Sequence, residues 1–216
     1  MSPKPIPRSR HNTNEWNRRR YRLWAPVYDL VTSGFNRPRQ RAIELLQLRP
    51  GESILLAGAG TGLDLDFLPP HLQITAVDLT PAMIARLEKR AARLGLPVTA
   101  RVMDAQRLDF PDGAFDAVLF HLILAVVPDP VLCLREAARV LKPGGRAVVL
   151  DKFLPQHRVA AWLLRLINPL MGFLASEVTR RLEDIVAMAG WEIVAEEPAR
   201  LRGLFRLALL RPIHRP

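Results

Sequence analysis

Apolar and polar positions along this chain switch between two periods, and the switches mark out a repeating strand–helix order. Short apolar runs at 53–57, 73–78, 98–103, 115–121 and 146–151 are bounded by glycine, proline or charged residues and have the length and composition of buried strands. Between them, 81–94 and 130–141 repeat their apolar residues at three and four, which predicts helices. Thr80-Pro81 supplies a hydroxyl cap with proline at the first helical position, and Gly95 and Pro97 end the helix it opens. Upstream, Trp16 to Leu48 mixes apolar and basic residues at helical spacing and predicts two short helices before Pro50-Gly51. A short helix is expected before Pro69-Pro70, a turn at Lys142-Pro-Gly-Gly145, helices at 158–175 and 177–189, and two last strands at 191–196 and 204–210. Strands that alternate with helices imply an α/β fold, a parallel sheet covered on both faces.

One pair of runs narrows the fold further. Glu52-Ser-Ile-Leu-Leu-Ala-Gly58-Ala-Gly60-Thr-Gly62 ends an apolar strand in three alternate glycines, and Ile74-Thr-Ala-Val-Asp78 ends the next strand in an acid 20 residues after Gly58. That is the layout of a nucleotide-binding βαβ unit, in which a tight turn lets the backbone approach a nucleoside and a terminal carboxylate takes both ribose hydroxyls. A dinucleotide fingerprint places its third glycine where Leu63 stands. The G-x-G-x-G pattern instead resembles the S-adenosylmethionine (SAM) loop of class I methyltransferases.

Composition and charge set the frame around that unit. With 216 residues and 49% hydrophobic side chains the chain can bury a sizeable core. The single Cys133 excludes an internal disulfide, and the five scattered histidines with one cysteine suggest no metal site. No apolar leader stands at the N-terminus and no uncharged run reaches membrane-spanning length, so a cytoplasmic location is expected. The net charge of +10 is uneven: residues 1–50 carry eleven Lys or Arg against three acids, and residues 198–216 carry five arginines and no acid. The middle is mildly acidic. Basic ends on such a core suit an anionic surface, either lipid head groups or nucleic acid, and also suit plain solubility.

Phe115-Asp116-Ala-Val-Leu, Val127-Pro128-Asp129-Pro130 and Arg139-Val-Leu-Lys-Pro-Gly-Gly145 are similar to the later motifs of class I methyltransferases, in that family's order. With the glycine loop, the resemblance runs from about residue 24 onward. It implies a Rossmann-like fold with a seven-stranded, mostly parallel sheet, helices on both faces, one antiparallel strand near the edge, and SAM across the carboxyl ends of the strands. In that light residues 51–216 form the SAM-binding domain with a lid-like helical insertion near 155–176, residues 16–50 a helical lid or membrane-docking segment, and residues 1–15 a loosely ordered basic arm. Two positions depart from the pattern: Leu56 stands where the family usually has an acid that helps hold the amino acid end of SAM, and Ala125-Val126 where many relatives have His-His.

The resemblance assigns donor contacts to Tyr28, Gly58, Ala59, Gly60, Gly62, Asp78, Leu79, Met83, Asp104, Ala105 and His121. Asp78 can also be read as a helix-capping acid, Asp104 as a surface-turn acid rather than the acceptor of the adenine amino group, and Met83 as core. His121, at the end of a strand, can touch donor or substrate, or be satisfied by backbone. Asp116 reads as structural.

The acceptor must be read from the chain ends, because the central fold binds only the donor. Tyr21-Arg-Leu-Trp24-Ala-Pro-Val-Tyr28-Asp29 resembles the Y-x-x-W-A-P-V-Y-D signature of bacterial phosphatidylethanolamine N-methyltransferases, as do Val126-Val-Pro-Asp-Pro130 and Gly203-Leu-Phe205-Arg-Leu. Quinone methyltransferases share the Tyr-Asp element, but their following Asn- and Met-rich run is absent. Trp162, Leu163, Leu166, Leu170 and Phe173 suit either a wall for acyl chains or an ordinary core helix kinked at Pro169. The resemblance implies N-methylation of a phospholipid amine by a peripherally membrane-associated enzyme, with Tyr21, Tyr28 or His121 orienting the amine or relaying its proton. A small apolar acceptor such as a quinone precursor, and a SAM- or membrane-binding protein without turnover, remain open beside it. A nucleic acid partner is not expected, given 6% aromatic residues and no target motif, and no obligate protein partner is inferred.

Overall fold

A computed structural model describes residues 13–25, 28–153, 180–200 and 203–213. Residues 1–12 of the expected basic arm at 1–15, and the expected helix at 158–175 with its apolar wall, lie outside the described residues, whereas Asn14 and Glu15 at the end of that arm already belong to a helix.

Seven strands form one sheet: β1 (Ser53–Ala57), β2 (Gln73–Asp78), β3 (Val98–Val102), β4 (Phe115–His121), β5 (Leu141–Lys152), β6 (Trp191–Arg200) and β7 (Phe205–Pro212). Their order is β3-β2-β1-β4-β5-β7-β6, and every pairing is parallel except the two made by β7. The order reverses between β1 and β4, whose carboxyl ends therefore open into a crevice suited to a ligand.

Alternation along the strands builds two cores. Leu55, Ala57, Val118 and Phe120 face α5 (Pro130–Val140) and α6 (Leu182–Ala189), while Ile54, Leu56, Ala117 and Leu119 face α3 (Asn36–Leu46) and α4 (Pro81–Leu94). Leu56 is thus a core residue, 1% exposed.

The N-terminal segment folds into more pieces than its periodicity predicts: α1 (Asn14–Trp24), α2 (Tyr28–Thr32), a 3₁₀ turn at Ser33–Phe35 and α3. The Thr13 hydroxyl accepts from the Trp16 N–H and caps α1. At α4 the expected hydroxyl cap is not made. The Thr80 hydroxyl and N–H turn instead to Asp78, a charged and stronger acceptor. The helix expected at 177–189 is described only as Leu182–Ala189, and the one before Pro69-Pro70 is a 3₁₀ turn, Leu63–Phe67. Residues 142–145 form no separate turn: β4 pairs Phe115 with Leu141 and then Ala117 with Arg146, so the extra residues bulge within β5. β6 runs past Pro198 to Arg200 because it is the edge strand, where a missing N–H costs no ladder bond.

Candidate functional site

Where β1 ends, the chain turns back under the crevice. The N–H groups of Gly58 and Ala59 both donate to the Val77 carbonyl at 2.9 Å, which ties the glycine turn to β2. Gly60 takes φ +55°, and a Cβ there would lie 3.5 Å from the Tyr28 ring, so the bare backbone leaves the space between loop and ring open. Gly62 has another task. A Cβ on it would meet Leu87 at 2.9 Å and Leu65 at 3.2 Å, so this glycine lets the loop close against α4.

Above the loop, at the carboxyl ends of β1 and β4, lies a cleft in the place where open α/β sheets bind small molecules. Tyr21, Tyr28, Gly58, Gly60, Asp78, Leu79, Met83, Asp104, Ala105 and His121 all line it. Ala59 and Gly62, which the loop motif also suggests, are not among its lining residues. Asn14 and Asn17 of α1 line it too, as do Met103, Ile123 and Val126. Sequence reasoning missed the two asparagines, because a polar residue on a basic amphipathic helix gives no sign of which way it faces.

The polar groups are held from behind. Asp78 accepts the Gly60 N–H at 2.9 Å with one oxygen and the Thr80 N–H at 2.8 Å with the other. Burial raises its carboxyl above the ordinary carboxylate value against the pull of those donors. No cation pairs with it among the described residues, so neutral donors such as a sugar diol suit it. Asp104 accepts from the Asn14 amide at 2.6 Å and from the Gln106 N–H at 2.9 Å, and Gln106 passes the connection on by accepting the Asp129 N–H at 2.7 Å. Asn17 donates to the Val126 carbonyl at 3.0 Å. The buried Asp151 carboxylate holds the loop beyond β4 through the Ala125 N–H at 2.9 Å.

At the mouth, the Tyr21 and Tyr28 rings meet edge to face, 6.2 Å between centroids. Burial pushes the Tyr21 phenol up to about 12 and raises that of Tyr28 as well, so both stay neutral hydrogen-bonding groups at physiological pH. Asp29, the acid of the Tyr-Asp element, accepts the Thr61 hydroxyl at 2.5 Å and Arg90 at 2.6 Å, clasping α2 onto the glycine loop. Behind His121 stands a buried chain: its Nδ1 lies 2.7 Å from Asp64 Oδ1, which also accepts from Arg39 at 2.5 Å. Two acids among leucines in Leu63-Asp-Leu-Asp-Phe67 are a sequence signal for a buried carboxylate; nothing in the sequence distinguishes Arg39 from its neighbours. Among the described residues no group of His, Cys, Asp and Glu could hold a metal ion.

Comparison with known proteins places this geometry in a family. Residues 55–149 match the family model described as "Methyltransferase domain". A phosphatidylethanolamine N-methyltransferase from Cereibacter sphaeroides is 32% identical over 190 residues, covering 87% of this chain and 93% of that protein. A demethylmenaquinone methyltransferase from Thermus thermophilus is 38% identical over 135 residues, covering 59% of this chain and 61% of that protein. Among solved structures, the [4+2]-cyclase SpnF superposes with a TM-score of 0.80 over 97% of this chain and 99% of that one, at 20% identity, a likeness of fold.

Proposed function

The chain belongs to the class I SAM-dependent methyltransferases, and we propose that its acceptor is a phospholipid amine, phosphatidylethanolamine or its partly methylated forms, met at a membrane surface. The observation that carries this reading is the two-sidedness of α1. One side gives Asn14, Asn17 and Tyr21 to the cleft, while the other exposes Arg18, Arg19, Arg22 and Leu23. An acceptor anchored in a bilayer would then reach the cleft at the edge of the segment that touches the bilayer.

The chemistry of the lining residues suits the donor. Gly60 leaves room for it beneath Tyr28, Asp78 offers a desolvated carboxylate to the ribose diol, and Asp104, Leu79 and Met83 suit the adenine. Bound SAM supplies an electrophilic methyl group on a sulfonium. The chain's own residues align the acceptor and exclude water. An ammonium head group must lose a proton before its nitrogen has a lone pair to attack with. The neutral, paired rings of Tyr21 and Tyr28 suit a cationic head group, by cation–π attraction as much as by hydroxyl contacts.

A second reading rests on the likeness to the demethylmenaquinone enzyme: the same rings and the apolar Met103, Ile123 and Val126 would accommodate a quinone precursor. One experiment separates the two. The enzyme is incubated with methyl-labelled SAM and either a total lipid extract or a demethylated quinone, and the products are resolved. Label in aminophospholipid is the expected result; label confined to the quinone would transfer the assignment to the second reading.

For docking, the arginines of Arg18-Arg-Arg20-Tyr-Arg22 differ in exposure. Arg20 is buried over the Tyr21 ring, 5.0 Å from its centroid, and is not part of the exposed basic surface. Arg18, Arg19 and Arg22 surround the start of α4 at Thr80–Ala82, and Arg86, Lys89 and Arg93 continue the basic surface along that helix. On the same helix as Arg18, Arg19 and Arg22, Leu23 and Trp24 are exposed apolar side chains. Among the described residues no helix is long and apolar enough to cross a membrane, so this contact would be peripheral.

A further inference from the structure

The chain Arg39–Asp64–His121 is buried at every member, joins three separate elements, and is not required by donor binding as described above. Arg39 comes from α3, Asp64 from the 3₁₀ turn after the glycine loop, and His121 from the end of β4, with side chains 3%, 5% and 2% exposed. A charged pair in such a place is a weak source of stability compared with well-packed apolar side chains. Its geometry, however, does something to the imidazole.

Burial alone would raise the Asp64 carboxyl, but the Arg39 guanidinium and then His121 outweigh it and hold it well below the usual carboxylate range. Asp64 is therefore ionised and can only accept. Both close contacts converge on its Oδ1, so His121 must present Nδ1–H toward it, and the ring's lone pair lies on Nε2. That Nε2 is buried and has no hydrogen-bond partner among the described residues, although the side chain that carries it lines the cleft with Tyr28 and Ile123. A buried acceptor without a donor is costly, and a proton-bearing ligand in the cleft is what can relieve it.

We propose that His121 Nε2 is the acceptor of the proton that the substrate's ammonium nitrogen must lose, and that Asp64 and Arg39 are its positioning residues. The N–H bond of the ammonium breaks, its electron pair stays on nitrogen as the nucleophilic lone pair, and the proton ends on Nε2. The positive charge moves with it and becomes an imidazolium beside the Asp64 carboxylate. Charged and titratable groups near the ring include Asp64, which favours that imidazolium, Arg39, which opposes it, and the neutral Tyr28, which bonds to Arg39 and also faces Asp64, Asp78 and Tyr21. This rests on the methyl-transfer reading and on an acceptor that carries a proton; it does not need the lipid.

The test has two parts. Nitrogen-15 NMR of histidine-labelled, unliganded protein reads the tautomer directly. The Nδ1–H form is expected, lost in Asp64→Asn, and an Nε2–H tautomer in the native protein would overturn the proposal whatever the enzyme turns over. The second part is the pH profile of kcat at saturating SAM, with folding of each variant checked by SAM calorimetry. His121→Gln should lower kcat by about 10²-fold or more, as expected for loss of a proton acceptor. Asp64→Asn, which removes the favouring charge, should move the acidic limb to lower pH. Arg39→Gln, which removes the opposing charge, should move it to higher pH. Limbs that stay in place in both variants, or full activity in His121→Gln, would leave the triad a structural tie. Absence of label in lipid, with the Nδ1–H tautomer and the shifted limbs intact on another acceptor, would instead fail only the lipid assignment.

Discussion

The Asn14 amide donates to the Asp104 carboxylate across 2.6 Å, joining two residues 90 positions apart. The bond makes the first helix part of the donor cleft: the residue assigned to the adenine edge is held by the segment assigned to the membrane. On the proposed role of Asp104, donor binding and the placement of α1 would be linked, because whatever fixes Asp104 also fixes the helix.

Asn14→Ala should weaken SAM binding by about 1 kcal/mol, the scale of one hydrogen bond, and should expose α1 to protease. Calorimetry and limited proteolysis with and without SAM check both effects. Unchanged affinity together with unchanged cleavage would break the link.

Asp78 offers a sharper loss. Its carboxylate is oriented by the Gly60 and Thr80 N–H groups and lacks a counter-cation among the described residues. Asp78→Ala should weaken SAM binding by roughly 2–4 kcal/mol, since charge-assisted bonds contribute about 1.5–3 kcal/mol each and are not additive. Because burial raises its carboxyl, the acid form takes over at a higher pH than for an ordinary aspartate. SAM affinity should therefore fall, as pH is lowered, before ordinary carboxylates protonate. Calorimetry across that range on the native protein and Asp78→Ala shows whether the loss belongs to Asp78.

The sign is opposite for Asp64. Its folded-state carboxyl is held well below the ordinary value, so the unfolded chain binds the proton more readily. The stabilisation is fully present above the unfolded value of about 3.9 and is lost only as pH falls toward the depressed native value. Breaking a buried pair typically costs about 3–5 kcal/mol, so Asp64→Asn should be destabilised on that scale at neutral pH. Urea unfolding should find the gap between native and variant narrowing below about pH 4. A gap independent of pH would mean that packing, not charge, carries the effect.

How far the sequence discloses this molecule depends on the range of the interaction. Strands such as Ser53–Ala57 and Phe115–His121 follow from runs of apolar residues, because burial on both faces leaves a local trace. The glycines and Asp78 follow from spacing, because one turn and one strand end set it. Arg39, Asp64 and His121 meet across 25 and 57 residues, and no local pattern records such a meeting. Arg20 shows the same limit from the other side: counted among four basic neighbours, it reads as surface charge, yet the helix turns it inward to Asn17 at 2.7 Å.

That distinction shapes the docking prediction. Arg18, Arg19 and Arg22 are exposed, and among the described residues Arg19 pairs with Glu15 at 2.7 Å on the open surface, where such a pair contributes little. Each cation near an anionic bilayer contributes about 1 kcal/mol, and the attraction fades over a Debye length of roughly 8–10 Å. Replacing these three with glutamine should sharply reduce co-sedimentation with anionic vesicles at low salt while leaving SAM affinity nearly intact, since their side chains do not line the cleft. Arg86, Lys89 and Arg93, changed likewise, should give a further loss, because they extend the same basic surface. Arg20→Gln should do the reverse, disturbing Tyr21 and the cleft with little effect on vesicles. If the three exposed substitutions lowered SAM affinity and spared lipid binding, α1 would be a lid over the donor only. If binding were equal on zwitterionic and anionic vesicles and insensitive to salt, the basic surface would have no part in it.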